Sequence, residues 1–382
     1  MVGKSKKINV EHTAYKYRIY PTEEQKILFA KTFGCCRYLW NRMLSDHITL
    51  YREIGHVPMN TPADYKDLDE CLWLNEVDSL ALANVQISLD KAFASFFAGK
   101  SKYPSYKKKY AQRQSYTTNR VNTNIRLEYG TLKLPKIGKV KIYLHRKAPG
   151  NDWTLKSVTV SYESNGSYYA SILYERVSVT RVTEIDEKKI IGLDMSIPHL
   201  YMDSNGNLAD YKKPYRRIQE RIRREHQRLS KMKRGSNNYK KQKERLARLY
   251  AKTKHQRKDT LHKLSYLLTE KYDIICIENL NMIAIIQFLN LAKSASDNGW
   301  GMFIDFLSYK QKRKGHVLIK VDRFFASSKK CSRCGYIHKG LELSDRLYIC
   351  PRCGHVLDRD ENAAINIREE GYRIYKKTYQ II

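Results

Sequence analysis

The chain is short of acid. Against 71 Lys and Arg it carries 39 Asp and Glu, which leaves a formal net charge of +32 at pH 7 over 382 residues. It also lacks a long apolar run, since nothing approaches the roughly 18 consecutive apolar residues that a membrane-spanning helix needs. A mean hydropathy of -0.61 agrees. The opening "MVGKSKKINV" has basic residues but no apolar stretch, so no secretory leader is expected. No fixed-period repeat or low-complexity tract stands out, so the chain does not read as a repeat array. With 42% hydrophobic residues and this length, it reads as a globular protein of two or three domains.

The excess of positive charge is concentrated. Between Tyr211 and Thr260 stand 20 Lys/Arg and 4 Asp/Glu, a net of +16, half the excess of the whole chain. Charge packed so densely repels itself unless a polyanion neutralises it, and the phosphate backbone of nucleic acid is the expected polyanion.

The opening "AYKYRIYP" alternates as a strand, and Thr22 with Gln25 forms a capping-box signature ahead of an amphipathic helix. Ile27, Leu28, Phe33, Leu39, Trp40, Met43 and Leu44 recur near helical spacing, and "SLALANVQISLDKAFASFF" repeats the pattern. The segment "GKSKYPSYKKKYAQRQSYTTN" interleaves Tyr103, Tyr106, Tyr110 and Tyr116 with basic residues that include Lys107 and Lys108. Such a mixture suits base stacking with phosphate holding, or a solvated loop whose tyrosines pack on a neighbouring domain. From about Leu127 to Glu175 the pattern is β, with a hairpin signal at Asn165-Gly166. Together with the opening strand it predicts a small β-barrel interrupted by the helical unit, and barrels of that size often bind oligonucleotides. "RVTEIDEKK" reads as a linker. Beyond it come the apolar strands "KIIGLD" and "IICIE", basic helices joined through "RGSNN", a helix at "NGWGMFIDFLSYKQKRKG" and a strand at "HVLIKVDRFF".

Cys331-x2-Cys334 and Cys350-x2-Cys353 have the spacing of a four-thiolate zinc site. Gly335 and Gly354 follow the two knuckles. With four cysteines there is no open coordination position, so this zinc is read as structural, with His338 and His355 as bystanders. Disulfides are disfavoured by the reducing compartment expected of a chain without an export signal. Cys35, Cys36, Cys71 and Cys276 lie in apolar patterns and read as buried thiols.

Three carboxylates occupy comparable positions: Asp194 and Glu278 each end an apolar strand, and Asp360 opens the helix "DENAAINI". An acid at a strand end is usually a solvated cap. Three that converge with no Lys or Arg between them would repel, and so call for Mg²⁺ or Mn²⁺. Such ions can activate water and steady a leaving oxygen in phosphodiester cleavage. Asp358 competes with Asp360, which is preferred because it falls in the first helical turn.

The strings "GLDMSIPHLYMDSNG", "CIENLN", "NGWGMF", "VDRFFASSKKCSRCG" and "CPRCGHVLDRDENAAINI" resemble the successive motifs of the TnpB family, transposon-encoded RNA-guided nucleases related to type V CRISPR effectors. "KYRIYPTEEQ" and "RQSYTTN" extend the resemblance over nearly the whole chain, while the last fifteen residues carry no motif. One departure is Met195-Ser196 after the first acid, where the family commonly has Gly-Ile-Asp-x-Gly.

The resemblance implies an α+β multidomain protein. It would comprise an RNase H-like (RuvC) α/β nuclease domain with an inserted four-cysteine zinc ribbon, and an N-terminal β-barrel wedge domain interrupted by a helical recognition unit. The expected limits are 1–21 for the first wedge strand, 22–120 for the recognition unit and 121–182 for the rest of the wedge. The RuvC domain follows at 183–327, the ribbon at 328–356, and the RuvC C-terminal part and tail at 357–382.

The implied activity is Mg²⁺- or Mn²⁺-dependent cleavage of target DNA by Asp194, Glu278 and Asp360. A guide RNA would select the target beside a short transposon-adjacent motif. Asn84, Gln86, Tyr116, Thr117 and Asn119 are candidates for reading that motif. Arg221, Arg224, Lys231, Lys233 and Arg234 are candidates for holding RNA or heteroduplex backbone. A monomeric ribonucleoprotein in a prokaryotic cytoplasm, nucleoid-associated, is expected. Two other readings stand beside it: a nuclease-inactive RNA-guided DNA-binding protein, and a strand-transferring transposase.

Overall fold

The computed structural model describes residues 9–55, 60–109, 113–178, 184–280, 298–342 and 344–379. It divides into two compact units, Met1–Thr180 and Arg181–Ile382. Tyr110 lies outside the described residues, as does part of the expected linker.

In the first unit, β1 (Asn9–Tyr20) runs into α1 (Glu23–Ile54) through the expected capping box. Gln25 N donates to Thr22 Oγ1 at 3.3 Å, and Thr22 N donates to Gln25 Oε1 at 3.1 Å. Such a cap stabilises a helix start by about 1 kcal/mol. Gly55, left-handed at φ 70°, stops the helix. Then come α2 (Pro62–Lys66), a 3₁₀ turn (Asp69–Glu76) and α3 (Ser79–Phe97).

Six more strands follow: β2 (Arg113–Asn119), β3 (Arg126–Glu128), β4 (Thr131–Leu134), β5 (Gly138–Tyr143), β6 (Thr154–Glu163) and β7 (Tyr168–Ser178). With β1 they form one antiparallel sheet in the order β2-β6-β7-β1-β5-β4-β3. Among the described residues no pairing joins β2 to β3. The Asn165-Gly166 hairpin forms as expected, with Gly166 at φ 77°.

Two expectations change here. "RQSYTTN", assigned to the helical unit, is strand β2, paired with β6 along its length. Tyr116, offered as a nucleic-acid contact, is only 5% exposed and packs against Phe29 and Phe33 of α1. Its ring is core and has no free face for a base.

In the second unit the sheet order is β11-β10-β8-β9, built from β8 (Ile190–Asp194), β9 (Met202–Asp203), β10 (Ile274–Glu278) and β11 (Val317–Val321). The first three are mutually parallel and β9 is antiparallel. Ile274, Ile275, Cys276 and Ile277 are all fully buried, as a central parallel strand covered on both faces requires. Ile275 and Ile277 face one core, shared with α5 (Asn237–Lys271) and α6 (Trp300–Lys314). Ile274 and Cys276 face another, shared with α7 (Arg359–Tyr379).

Helix α4 (Pro214–Ser230) pairs with α5 around Ile222, Leu246 and Leu249. The two-stranded ribbon β12 (Leu347–Ile349) and β13 (Val356–Asp358) lies in the chain between β11 and α7. Cys35, Cys36, Cys71 and Cys276 are buried, as read from their apolar settings. No helix among the described residues is long and apolar enough to cross a membrane.

Candidate active site and metal centre

Asp194 ends β8 and Glu278 ends β10. Leu193 lies opposite Ile277 in the parallel register, so the next residue on each strand is an acid at the same sheet edge. Helix α7 lies on these strands unusually closely. A Cβ on Gly192 would sit 2.1 Å from Ala364 O and 2.7 Å from Arg368 N, and a Cβ on Gly371 would sit 2.3 Å from Cys276 Sγ. One glycine on the sheet and one on the helix therefore let the two backbones meet. Gly371 costs about 1 kcal/mol of helix propensity, which the close contact offsets.

The start of α7 separates the two competing acids. Asp358 Oδ1 accepts from Asp360 N at 2.8 Å and from Glu361 N at 3.2 Å, so Asp358 is the helix cap. It is exposed, whereas Asp360 is half-buried. Asp194's carboxyl is pushed well above the usual carboxylate range, first by burial and then by the negative charges of Glu278 and Asp360. Glu278 and Asp360 thus both act on Asp194 at one end of the sheet.

The expectation that no base stands among them is corrected. Arg359 Nη2 lies 3.7 Å from Asp360 Oδ1, and its charge lowers the Asp194 carboxyl's pKa against the other effects. Half-buried carboxylates whose negative charges raise one another's cost at Asp194 are donor chemistry of the kind that suits a hard divalent cation.

Several supporting residues were not anticipated. Ser327 Oγ donates to Glu278 Oε1 at 2.5 Å. Asn366 Nδ2 donates to Ser327 O at 2.8 Å and to Lys330 O at 2.6 Å. One turn earlier, Asn362 donates to Lys330 O at 2.8 Å and accepts from Ser332 N at 3.0 Å. Two buried asparagines on α7 thereby clamp the segment leading into the ribbon. Amides four residues apart among Ala363, Ala364 and Ile367 were the available signal, since buried amides are nearly always paired.

The turn after Asp194, where Met195-Ser196 departs from the common motif, is latched by its carbonyls. Asn298 Nδ2 donates to Ile197 O at 3.0 Å, Trp300 Nε1 to Leu200 O at 3.0 Å and Lys213 Nζ to Ile197 O at 2.6 Å. These bonds hold Leu200 at φ 76°, a left-handed conformation costly for a leucine.

The four cysteines predicted as ligands converge. All Sγ atoms lie within 4.8 Å of one another, with Cys331–Cys353 at 3.8 Å and Cys334–Cys350 at 3.6 Å. A tetrahedron with Zn–S bonds of about 2.3 Å has edges of about 3.8 Å, whereas a disulfide would need about 2.05 Å. The thiols are therefore arranged as zinc would hold them. The knuckles match each other: Gly335 N donates to Cys331 O and Gly354 N to Cys350 O, both at 2.9 Å, with the glycines at φ 75° and 68°. Tyr348, fully buried, backs the cluster, and His338 and His355 are not part of it.

Arg221, Arg224, Lys231, Lys233 and Arg234 are exposed on α4 and the turn into α5. Glu225, 3% exposed, ties the pair by accepting from Gln242 Nε2 at 2.7 Å, beside Arg228 at 3.3 Å and Arg245 at 3.6 Å. In the first unit Lys108 is exposed, and Lys107 Nζ lies 3.8 Å over the Trp40 ring. Asn84 Nδ2 donates to Leu80 O at 2.8 Å within its own helix, and Gln86 is half-buried. Thr117 Oγ1 pairs with Thr159 Oγ1 at 2.8 Å, and Asn119 ends β2 half-buried.

Three family profiles match the chain. They are "Cas12f1-like, TNB domain" over residues 300–367, "Probable transposase" over 171–287 and "Helix-turn-helix domain" over 12–56. The first spans α6, the cysteine tetrad and Asp360. The last falls on a strand followed by the single long helix α1.

Among solved structures, one described as "Cryo-EM structure of the Cas12f1-sgRNA-target DNA complex" shares the fold at TM-score 0.58 and 14% identity, over 94% of this chain and 99% of that one. A relative from Escherichia coli (strain K12), "Putative RNA-guided DNA endonuclease InsQ", is 27% identical over 94% of this chain and 92% of its own. Another, "Putative RNA-guided DNA endonuclease" of Streptomyces pristinaespiralis, is 34% identical over 94% of this chain and 89% of its own. With that identity over nearly the full length of both chains, the chain belongs to the TnpB-like family of RNA-guided DNA endonucleases.

Proposed function

We propose that this chain is a transposon-encoded, RNA-guided DNA endonuclease that hydrolyses phosphodiesters at Asp194, Glu278 and Asp360. The observation that carries the reading is the Asp194 carboxyl, set in the fields of Glu278 and Asp360 at one sheet edge. We read the β11-β10-β8-β9 sheet as an RNase H-like (RuvC) core and the seven-stranded sheet as the wedge that flanks the helical recognition unit.

Divalent ions bound by the three acids would supply an activated water and a counter-charge for the leaving oxygen. Of the chain's own groups, Ser327 fixes the Glu278 carboxylate, and the Asp358 cap sets the helix turn that presents Asp360. Arg359 offsets part of the acids' mutual repulsion. The cysteine tetrad holds a structural zinc. The exposed cations on α4 and the following turn hold guide RNA or heteroduplex backbone, while base pairing selects the target and the protein reads a short flanking motif.

Plasmid cleavage by protein copurified with its RNA tests this reading. Wild type should cut a matched target beside its motif, and Asp194→Ala should not. Undiminished cutting by Asp194→Ala would remove the catalytic assignment, and cutting in EDTA would remove the metal.

A further inference from the structure

Val321, the last residue of β11, is the register partner of Glu278, and its carbonyl accepts from Asn279 N at 2.9 Å. The chain returns to the same acid at Ser327, whose hydroxyl donates to the Glu278 carboxylate at 2.5 Å. Residues 322–326 therefore form a short loop with one end paired beside Glu278 through Asn279 and the other hydrogen-bonded to the Glu278 carboxylate.

The loop is built, not slack. Asp322 Oδ1 accepts from Phe324 N at 2.8 Å, and Asp322 O accepts from Phe325 N at 3.1 Å. Its two phenylalanines have opposite fates. Phe325 packs into the core beneath α7, whereas Phe324 stands 79% exposed with the Arg323 guanidinium carbon 4.5 Å from its ring centre. An anchor was already supplied by Phe325, so burial does not account for Phe324. At no more than about 3.6 Å per residue, the loop keeps the Phe324 backbone within about 11 Å of Val321. That is a distance at which a strand whose phosphate sits on the acids would place a neighbouring base.

We propose that Phe324 and Arg323 form a stacking platform for the DNA base that flanks the scissile phosphate. Phe324 receives the base on its free face, and Arg323 backs the ring and neutralises the adjacent phosphate. A π-face accepts any base, so the platform serves an enzyme whose sequence choice lies elsewhere. Its occupant is single-stranded DNA, matching a chain of net charge +32. This inference rests on the catalytic reading above and adds the residues that orient the strand.

The test uses the ribonucleoprotein and a target strand carrying 2-aminopurine beside the cut position mapped for wild type, without divalent ions. Wild type and Phe324→Trp should quench the fluorophore, and Phe324→Ala should not. In cleavage of single-stranded DNA, Phe324→Ala should raise KM about tenfold, the scale of one lost stacking contact. An abasic nucleotide at the flanking position should raise the wild-type KM equally and add nothing to Phe324→Ala. Being exposed, the substitution should leave the Tm unchanged. Wild-type KM in Phe324→Ala, or full additivity with the abasic site, would overturn the platform. The catalytic reading would fail separately, if Asp194→Ala cuts.

Discussion

A methyl group on Gly192 would lie 2.1 Å from the carbonyl oxygen of Ala364. Neither backbone can yield without moving α7, and α7 carries Asp360. Gly192→Ala should cost about 1–3 kcal/mol of stability, in the range of overpacked cores. It should also lower kcat about a hundredfold, the penalty of a misplacement near 1 Å. Thermal unfolding and single-turnover cleavage read the two effects, and wild-type turnover would show that Asp360 is not set by this contact.

Ser327 should matter through Glu278 alone. Ser327→Ala removes a hydrogen bond to a charged group, worth roughly 1.5–3 kcal/mol, and kcat should fall at least tenfold while affinity for target DNA is retained. A change confined to affinity would place Ser327 outside the reacting centre.

The acids should destabilise the protein that lacks divalent ions. Asp194's folded-state pKa lies above its unfolded value of about 3.9. The fold therefore favours the protonated carboxyl, and stability is lost as pH rises from about 4 through the folded pKa. Asp194→Asn removes that loss. Without added divalent ions it should melt above wild type at pH 8, less so at pH 5, and Mg²⁺ should narrow the difference. Calorimetry finding the variant no more stable at pH 8 would contradict the electrostatics derived for the site.

In the ribbon, Cys331→Ser combined with Cys350→Ser should reduce bound zinc from about one ion per chain to near none, by elemental analysis. Retained zinc would move the metal elsewhere.

The basic hairpin should bind through phosphate. Replacing Arg221, Arg224 and Lys231 together by Ala should weaken RNA affinity and reduce the slope of log K against log salt by about two to three. An unchanged slope would remove these three side chains from the interface.

Much of this was legible in local patterns. The cap at Thr22 and Gln25, the two cysteine knuckles and the strands ending in Asp194 and Glu278 each depend on residues a few positions apart, where spacing carries the physics. The support of the site was not legible. Ser327 meets Glu278 across 49 positions, and Asn366 reaches Ser327 across 39, so the spacing of the α7 amides could mark them as buried but could not reveal their partners. Of the two readings open for Tyr116, packing rather than base stacking is the one seen, and the sequence could not choose between them for the same reason. Its basic flanks suggested a surface, while the pocket it fills is made by Phe29 and Phe33, more than eighty residues earlier. Arg359 is the converse case: it neighbours Asp360 in the chain, yet its charge acts on Asp194, 165 positions away.

Strand β13 passes into α7 without a linker: Asp358 pairs with Leu347 as the last rung of the ribbon, and Arg359 N donates to Arg346 O at 2.9 Å. The same aspartate that finishes the zinc-binding hairpin thus begins the helix bearing Asp360. Stripping the proposed zinc should therefore loosen the first turn of α7, where Asp360 stands, while β8 and β10 stay paired and the rest of α7 stays seated on Gly192.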